Sequence, residues 1–75
     1  MRERDLVEYI AKALVENADA VSVKEVRGGS VTVLELSVDE SDMGRVIGKD
    51  GRVANAMRTL LRVATGDRRV VLEIV

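Results

Sequence analysis

The chain has 75 residues with 12 Lys+Arg against 13 Asp+Glu, a formal charge of −1, 47% hydrophobic and 33% charged residues, and no Cys, His, Trp, Phe or Pro. That length supports one domain, residues 1–75, whose single core buries about 60% of the unfolded chain's surface and gains from a partner subunit. Lack of Cys excludes a disulfide framework and thiolate metal sites, lack of His removes the usual general base near neutral pH, and no apolar run approaches the about 20 residues of a membrane span. The expected setting is cytoplasmic, with no membrane partner and no cofactor.

From Asp5 to about Asn17, Leu6, Ile10 and Leu14 together with Val7, Ala11 and Val15 recur at helical spacing, and Asp5 with Glu8 three residues on has the form of a capping box. The segment from Ala20 to Arg27 alternates as Val21 and Val23 and slips phase at Val26, which predicts a strand with a bulge or an early end. Gly28-Gly29-Ser30 is a turn signal, and Val31 to Val38 follows with Leu34, Leu36 and Val38 on one face, so a hairpin is expected.

Ser41 is the expected N-cap of a short helix running through Asp42 to Ile47, with Asp42 in its first turn and Gly48 ending it. After Gly51, the stripe Val53, Met57, Leu60, Leu61 and Ala64 predicts an amphipathic helix that Gly66 closes. Val70 to Val75 reads as a last strand with Val70, Leu72 and Ile74 inward. The order α-β-β-α-α-β leaves room for a right-handed crossover between the second and third strands. The expected fold is α+β, with three helices packed on one face of a mixed three-stranded sheet.

The chemistry concentrates between the last two helices, in Gly44-Arg45-Val46-Ile47-Gly48-Lys49-Asp50-Gly51-Arg52. Glycines three apart permit positive φ and close approach of another backbone. The N–H groups of this loop and of the following helix's first turn form an anion site, which Lys49 reinforces and Arg45 and Arg52 flank. Asp50 opposes that attraction unless it points away from the strand or caps the helix at Arg52, and the capping role is the expected one. The surrounding charge agrees, since residues 1–44 carry five basic and ten acidic side chains while residues 45–75 carry seven and three.

An aliphatic pair, Val46-Ile47, followed by Gly48-Lys49-Asp50-Gly51 between two helices resembles the signature of KH domains, and the element order resembles their type II arrangement. The run from Gly44 to Leu61 and the length resemble the small stand-alone bacterial KH proteins of the KhpA family. The resemblance implies a groove that holds about four nucleotides of single-stranded RNA. Its lining comprises Gly48, Lys49, Asp50 and Gly51 on the backbone, Ile47 on the groove wall, Gly44 where a side chain would intrude on a base, and the flanking Arg45 and Arg52. It further implies an RNA chaperone or post-transcriptional regulator that forms homodimers, or an interaction subunit that pairs with a larger KhpB (Jag, EloR) type protein linked to cell elongation.

Ala54 stands where many KH domains have a large aliphatic residue, and Asp50 where many have a basic or neutral one. Both departures bear on affinity more than on fold. Tyr9, the single aromatic, lies in the first helix, so base-stacking platforms are lacking. Met43 and Met57 read as core filler, and Arg68-Arg69 as solvated turn residues within reach of a phosphate. Thr59 and Ser41 have no neighbouring base to activate them, and no catalysis is assigned.

Overall fold

Alternation of apolar residues and one tight turn build the sheet. The computed structural model describes residues 2–66 and 68–75. Strand β1 (Ser22–Gly28) pairs antiparallel with β2 (Val31–Ser37), with Gly28 opposite Val31, so Gly29-Ser30 is a two-residue hairpin loop and Gly29 takes φ +58°. β3 (Arg69–Ile74) pairs parallel with β2, placing β2 in the centre. Helices α1 (Glu3–Leu14), α2 (Met43–Ile47) and α3 (Arg52–Thr65) complete the order α-β-β-α-α-β, with single 3₁₀ turns at Ala18–Ala20, Glu40–Asp42 and Lys49–Gly51. The expected α+β fold, with helices packed on a mixed three-stranded sheet, is the one found.

The core is shared by all three helices and all three strands. Val7 and Ala11 of α1, Val46 of α2, and Met57 and Leu61 of α3 meet Val23, Leu34, Leu36 and Leu72 of the sheet. Full burial of a Leu or Met side chain contributes about 1.5–3 kcal/mol, so Leu34, Leu36, Met57 and Leu61 carry much of the stability. Each sheet edge is tied to a helix by an arginine. Arg4 Nε of α1 donates to the Val23 carbonyl of β1 at 3.0 Å, and Arg58 Nη2 of α3 donates to the Leu72 carbonyl of β3 at 3.3 Å. These bonds satisfy strand carbonyls that an unpaired edge would expose.

Five local expectations are corrected. Helix α1 begins at Glu3 after Arg2, with no side-chain cap. Asp5 and Glu8 flank Arg4 instead, at 3.3 and 3.5 Å. The helix also stops at Leu14, before Asn17, because the Val15 N–H is the last to donate within it, to Ala11, and the N–H groups of Glu16 and Asn17 donate instead to the Asp42 carboxylate at 3.2 and 3.1 Å.

β1 has no bulge. Val26 lies directly opposite Val33 in unbroken register, on the sheet face away from the helices, and Glu25 takes the inward phase near the hairpin end, where Arg27 donates to it at 2.8 Å. Ser41 is not a cap. It lies inside the 3₁₀ turn, and the Asp39 side chain accepts from its N–H at 3.2 Å.

The buried stripe of α3 is Ala54, Met57, Leu61 and Thr65, while Leu60 is 52% exposed and Ala64 is exposed. Leu60 lies about 100° around the helix from Leu61, on the flank beyond the core.

Candidate functional site

The segment between α2 and α3 turns sharply because three of its four residues adopt positive φ. Gly48 has φ 77° and ψ 170°, a region open essentially to glycine alone, and Asp50 and Gly51 follow at φ 58° and 78° in the left-handed region. A Cβ on Gly48 would lie 2.9 Å from the Val53 backbone nitrogen, so the first glycine is fixed by packing as well as by conformation. Gly51 is fixed by conformation alone, the nearest atom to a Cβ there being 3.7 Å away.

The turn uses some of its own donors. The N–H of Gly48 donates to Gly44 at 2.8 Å, that of Gly51 donates to Gly48 at 3.1 Å, and that of Arg52 donates to Lys49. Gly51 is thus the first donor within the Lys49–Gly51 turn, and the N–H groups of Lys49 and Asp50 precede it, in the position where a helix start leaves its N–H groups without an intrahelical acceptor. Two adjacent donors thus sit at the positive end of the 14-residue helix α3. Lys49 and Arg52 are exposed and have no ion-pair partner among the described residues. The Asp50 side chain makes no cap bond to α3, whose N-cap is Gly51, so the expected capping role is not found.

Around the turn, Ile47 is 37% exposed while Val46 beside it is fully buried, so the aliphatic pair divides between surface and core. A Cβ on Gly44 would meet nothing within 4 Å, which leaves open space over the outer face of α2. Ala54 is buried. The structure therefore gathers Gly44, Ile47, Gly48, Lys49, Asp50, Gly51 and Arg52 around one turn.

Arg45 is diverted. Its Nη1 donates to Asp42 Oδ1 at 2.9 Å and its Nη2 pairs with Glu16 at 2.5 Å, so its charge is spent inside the chain. Asp42 itself is buried. Hydrogen bonds from the Asn17 and Glu16 N–H groups, together with the Arg45 guanidinium, hold its carboxyl below the ordinary carboxylate range against the opposing effect of burial. This clamp joins the end of α1 to the start of α2. Sequence reading placed Asp42 in a first turn and missed it, because its partners lie 25 and 26 residues away.

Arginines also gather at the opposite end of the sheet. Arg27, Arg68 and Arg69 line a cleft of about 430 Å³ beside the hairpin loop. The length of α3, about 21 Å at 1.5 Å per residue, separates this end from the glycine turn. Among the described residues, no helix is long and apolar enough to cross a membrane and no acidic cluster is arranged to hold a metal ion.

A family model described as KhpA/KhpB, KH domain, matches residues 4–74. The chain is 51% identical over 73 residues to the RNA-binding protein KhpA of Caldanaerobacter subterraneus subsp. tengcongensis, covering 95% of this chain and 97% of that one. It is 51% identical over 74 residues to the RNA-binding protein KhpA of Aquifex aeolicus, covering 95% and 92%, and 43% identical over 75 residues to that of Treponema pallidum, covering 97% and 94%. Among solved structures, Era in complex with MgGDPNP and nucleotides 1506-1542 of 16S ribosomal RNA matches with a TM-score of 0.61 at 26% identity. That match covers 96% of this chain, which spans only 28% of the Era chain.

Proposed function

The chain belongs to the KhpA/KhpB KH-domain family, and from that premise we propose that it binds single-stranded RNA at the turn between α2 and α3, as an RNA chaperone or post-transcriptional regulator. The observation that carries this reading is the position of the Lys49 and Asp50 N–H groups ahead of the first intrahelical donor at the start of α3, beside the Lys49 ammonium, which has no ion-pair partner among the described residues. A phosphate received there accepts from the two N–H groups and gains the charge of Lys49, while Arg52 faces the next phosphate along the strand. Gly44 leaves room for a base, and Ile47 offers it an aliphatic surface.

With Tyr9 the single aromatic, recognition rests on backbone contacts, aliphatic contacts and hydrogen bonds to base edges, which favours low sequence specificity. Asp50 makes the turn a weaker anion site than an all-basic loop.

The test is fluorescence anisotropy of a short labelled single-stranded RNA against wild type and Lys49→Asp at two salt concentrations, with circular dichroism to verify folding. Salt-dependent binding by wild type and a loss of at least about tenfold in the folded variant are expected. Equal binding by the two proteins sinks the reading.

A second reading, an interaction subunit that forms a homodimer or pairs with a larger KhpB/Jag-type protein, is favoured by a specific observation. Leu60 and Val63 on the outer side of α3 are 52% and 79% exposed. Apolar side chains so exposed on one helix gain from cover by a partner.

A further inference from the structure

We propose that the arginine-lined clefts at the hairpin end of the sheet form a second phosphate-binding surface, which holds the stretch of an RNA strand running on beyond the α2–α3 turn. The proposal rests on the RNA-binding reading above.

Three adjoining clefts of about 430, 280 and 190 Å³ share Arg68 and Val70 in their walls. Together they are lined by Arg2, Arg27, Arg58, Arg62, Arg68 and Arg69, half of the 12 basic side chains of the chain. Among the described residues, the acidic ones in the same walls are Glu3 and Glu25, so six arginines face two glutamates there. The α2–α3 turn has only Lys49 and Arg52 against Asp50, since Arg45 is neutralised by Asp42 and Glu16. The larger positive field of the molecule therefore lies at the far end of α3.

The type and spacing of these groups indicate the ligand. Guanidinium groups present forked donors that match phosphate oxygens, and their planes stack on bases. The charges are spread along three connected clefts rather than converging on one point, which suits a linear polyanion better than a single small anion. Arg62 and Arg69 have no ion-pair partner among the described residues, whereas Arg27 and Arg68 are held by Glu25 and Glu3. Ser30 and Thr32 add hydroxyl groups beside Arg27 and Arg69. In the second cleft the half-buried Val70 adds an apolar surface against which a base can rest.

The spacing suits one strand. The about 21 Å length of α3 equals about six nucleotides at about 3.4 Å per stacked nucleotide. An RNA of about five nucleotides fills the turn alone, while one of about 20 nucleotides reaches both sites.

The experiment compares wild type, Lys49→Asp and the double variant Arg62→Ala/Arg69→Ala by anisotropy with RNAs of about five and about 20 nucleotides over a salt series. Both replaced arginines are exposed and free of ion pairs among the described residues, so the double variant is expected to fold, which circular dichroism checks. The expected result is unchanged affinity for the short RNA and at least about tenfold weaker binding of the long one. The log–log salt slope should be smaller by about 1.4, the value for two lost phosphate contacts on a single strand. Arg62→Lys/Arg69→Lys should restore most of that slope.

Long-RNA affinity and slope unchanged in the double alanine variant would overturn the proposal. Displacement of the long RNA by polyglutamate of equal charge at equal concentration would overturn it too, in favour of an acidic protein partner. If wild type ignores the short RNA yet binds the long one through Arg62 and Arg69, the turn reading fails and the second surface stands.

Discussion

Gly48 packs against Val53 so closely that a Cβ added to the glycine would lie 2.6 Å from Val53 Cγ2 and 2.9 Å from its backbone nitrogen. The contact holds the end of α2 against the first turn of α3, the geometry that sets the N–H groups of Lys49 and Asp50 at the start of the turn, ahead of its first intrahelical donor. Gly48→Ala combines a positive-φ penalty of about 1–2 kcal/mol with overpacking of about 1–3 kcal/mol, and either moves the turn or destabilises the domain. Gly51→Ala incurs the φ penalty alone. Urea denaturation should rank wild type above Gly51→Ala and Gly51→Ala above Gly48→Ala, with RNA affinity in the same order. Equal stability of the two variants would show that Val53 yields to the added methyl.

Asp50 occupies the left-handed region at φ 58° and ψ 23°, which Asn adopts as readily as Asp. Asp50→Asn keeps that conformation and removes a negative charge next to Lys49. Stability should change little, while affinity for short RNA should rise by about two- to fivefold at low salt and converge on wild type at high salt. Weaker binding by Asp50→Asn would mean that the carboxylate itself contacts the RNA.

Much of this arrangement was legible in the chain. Gly28-Gly29-Ser30 between two alternating runs marked the hairpin, Leu34 and Leu36 marked the inward face of β2, and Gly48 and Gly51 marked the turn between helices. The rest depended on residues distant in sequence. Asp42 looks like a first-turn acid until α1 ends beside it, and only then do Glu16, Asn17 and Arg45 converge on its oxygens. The arginine clefts were illegible for the same reason, because Arg27 and Arg62 each come to share a cleft with Arg69 only when the crossover through α2 and α3 brings β3 alongside β2.

Leu60 and Val63 separate the two functional readings. Because both are largely exposed, Leu60→Lys and Val63→Lys should each change the stability of an isolated domain by no more than about 0.5 kcal/mol. Where α3 is an interface between copies, the same substitutions should convert a dimer to a monomer in sedimentation equilibrium and make stability independent of protein concentration. A wild-type chain that sediments as a monomer at high concentration removes self-association through this face.

Asp42 makes stability depend on pH with a definite sign. Its carboxyl titrates below the ordinary value of 3.8, chiefly because the Asn17 N–H donates to it, with Glu16 and Arg45 adding to the effect. The ionised form is thus preferred by the folded chain. That contribution is fully present above the ordinary carboxylate range and is lost as pH falls through the folded-state value. Asp42→Asn cannot reproduce it, since its amide group turns N–H donors toward a site where the Glu16 and Asn17 N–H groups and the Arg45 guanidinium already donate.

The urea midpoint of Asp42→Asn should therefore lie below that of wild type at pH 7, and the gap should narrow as the pH is taken below 3.8. Because the clamp anchors the start of α2, the variant should also bind short RNA more weakly at pH 7, although Asp42 is buried and out of reach of any ligand. A gap that stays constant with pH would show that the packing of Asp42, not its charge, holds α1 to α2.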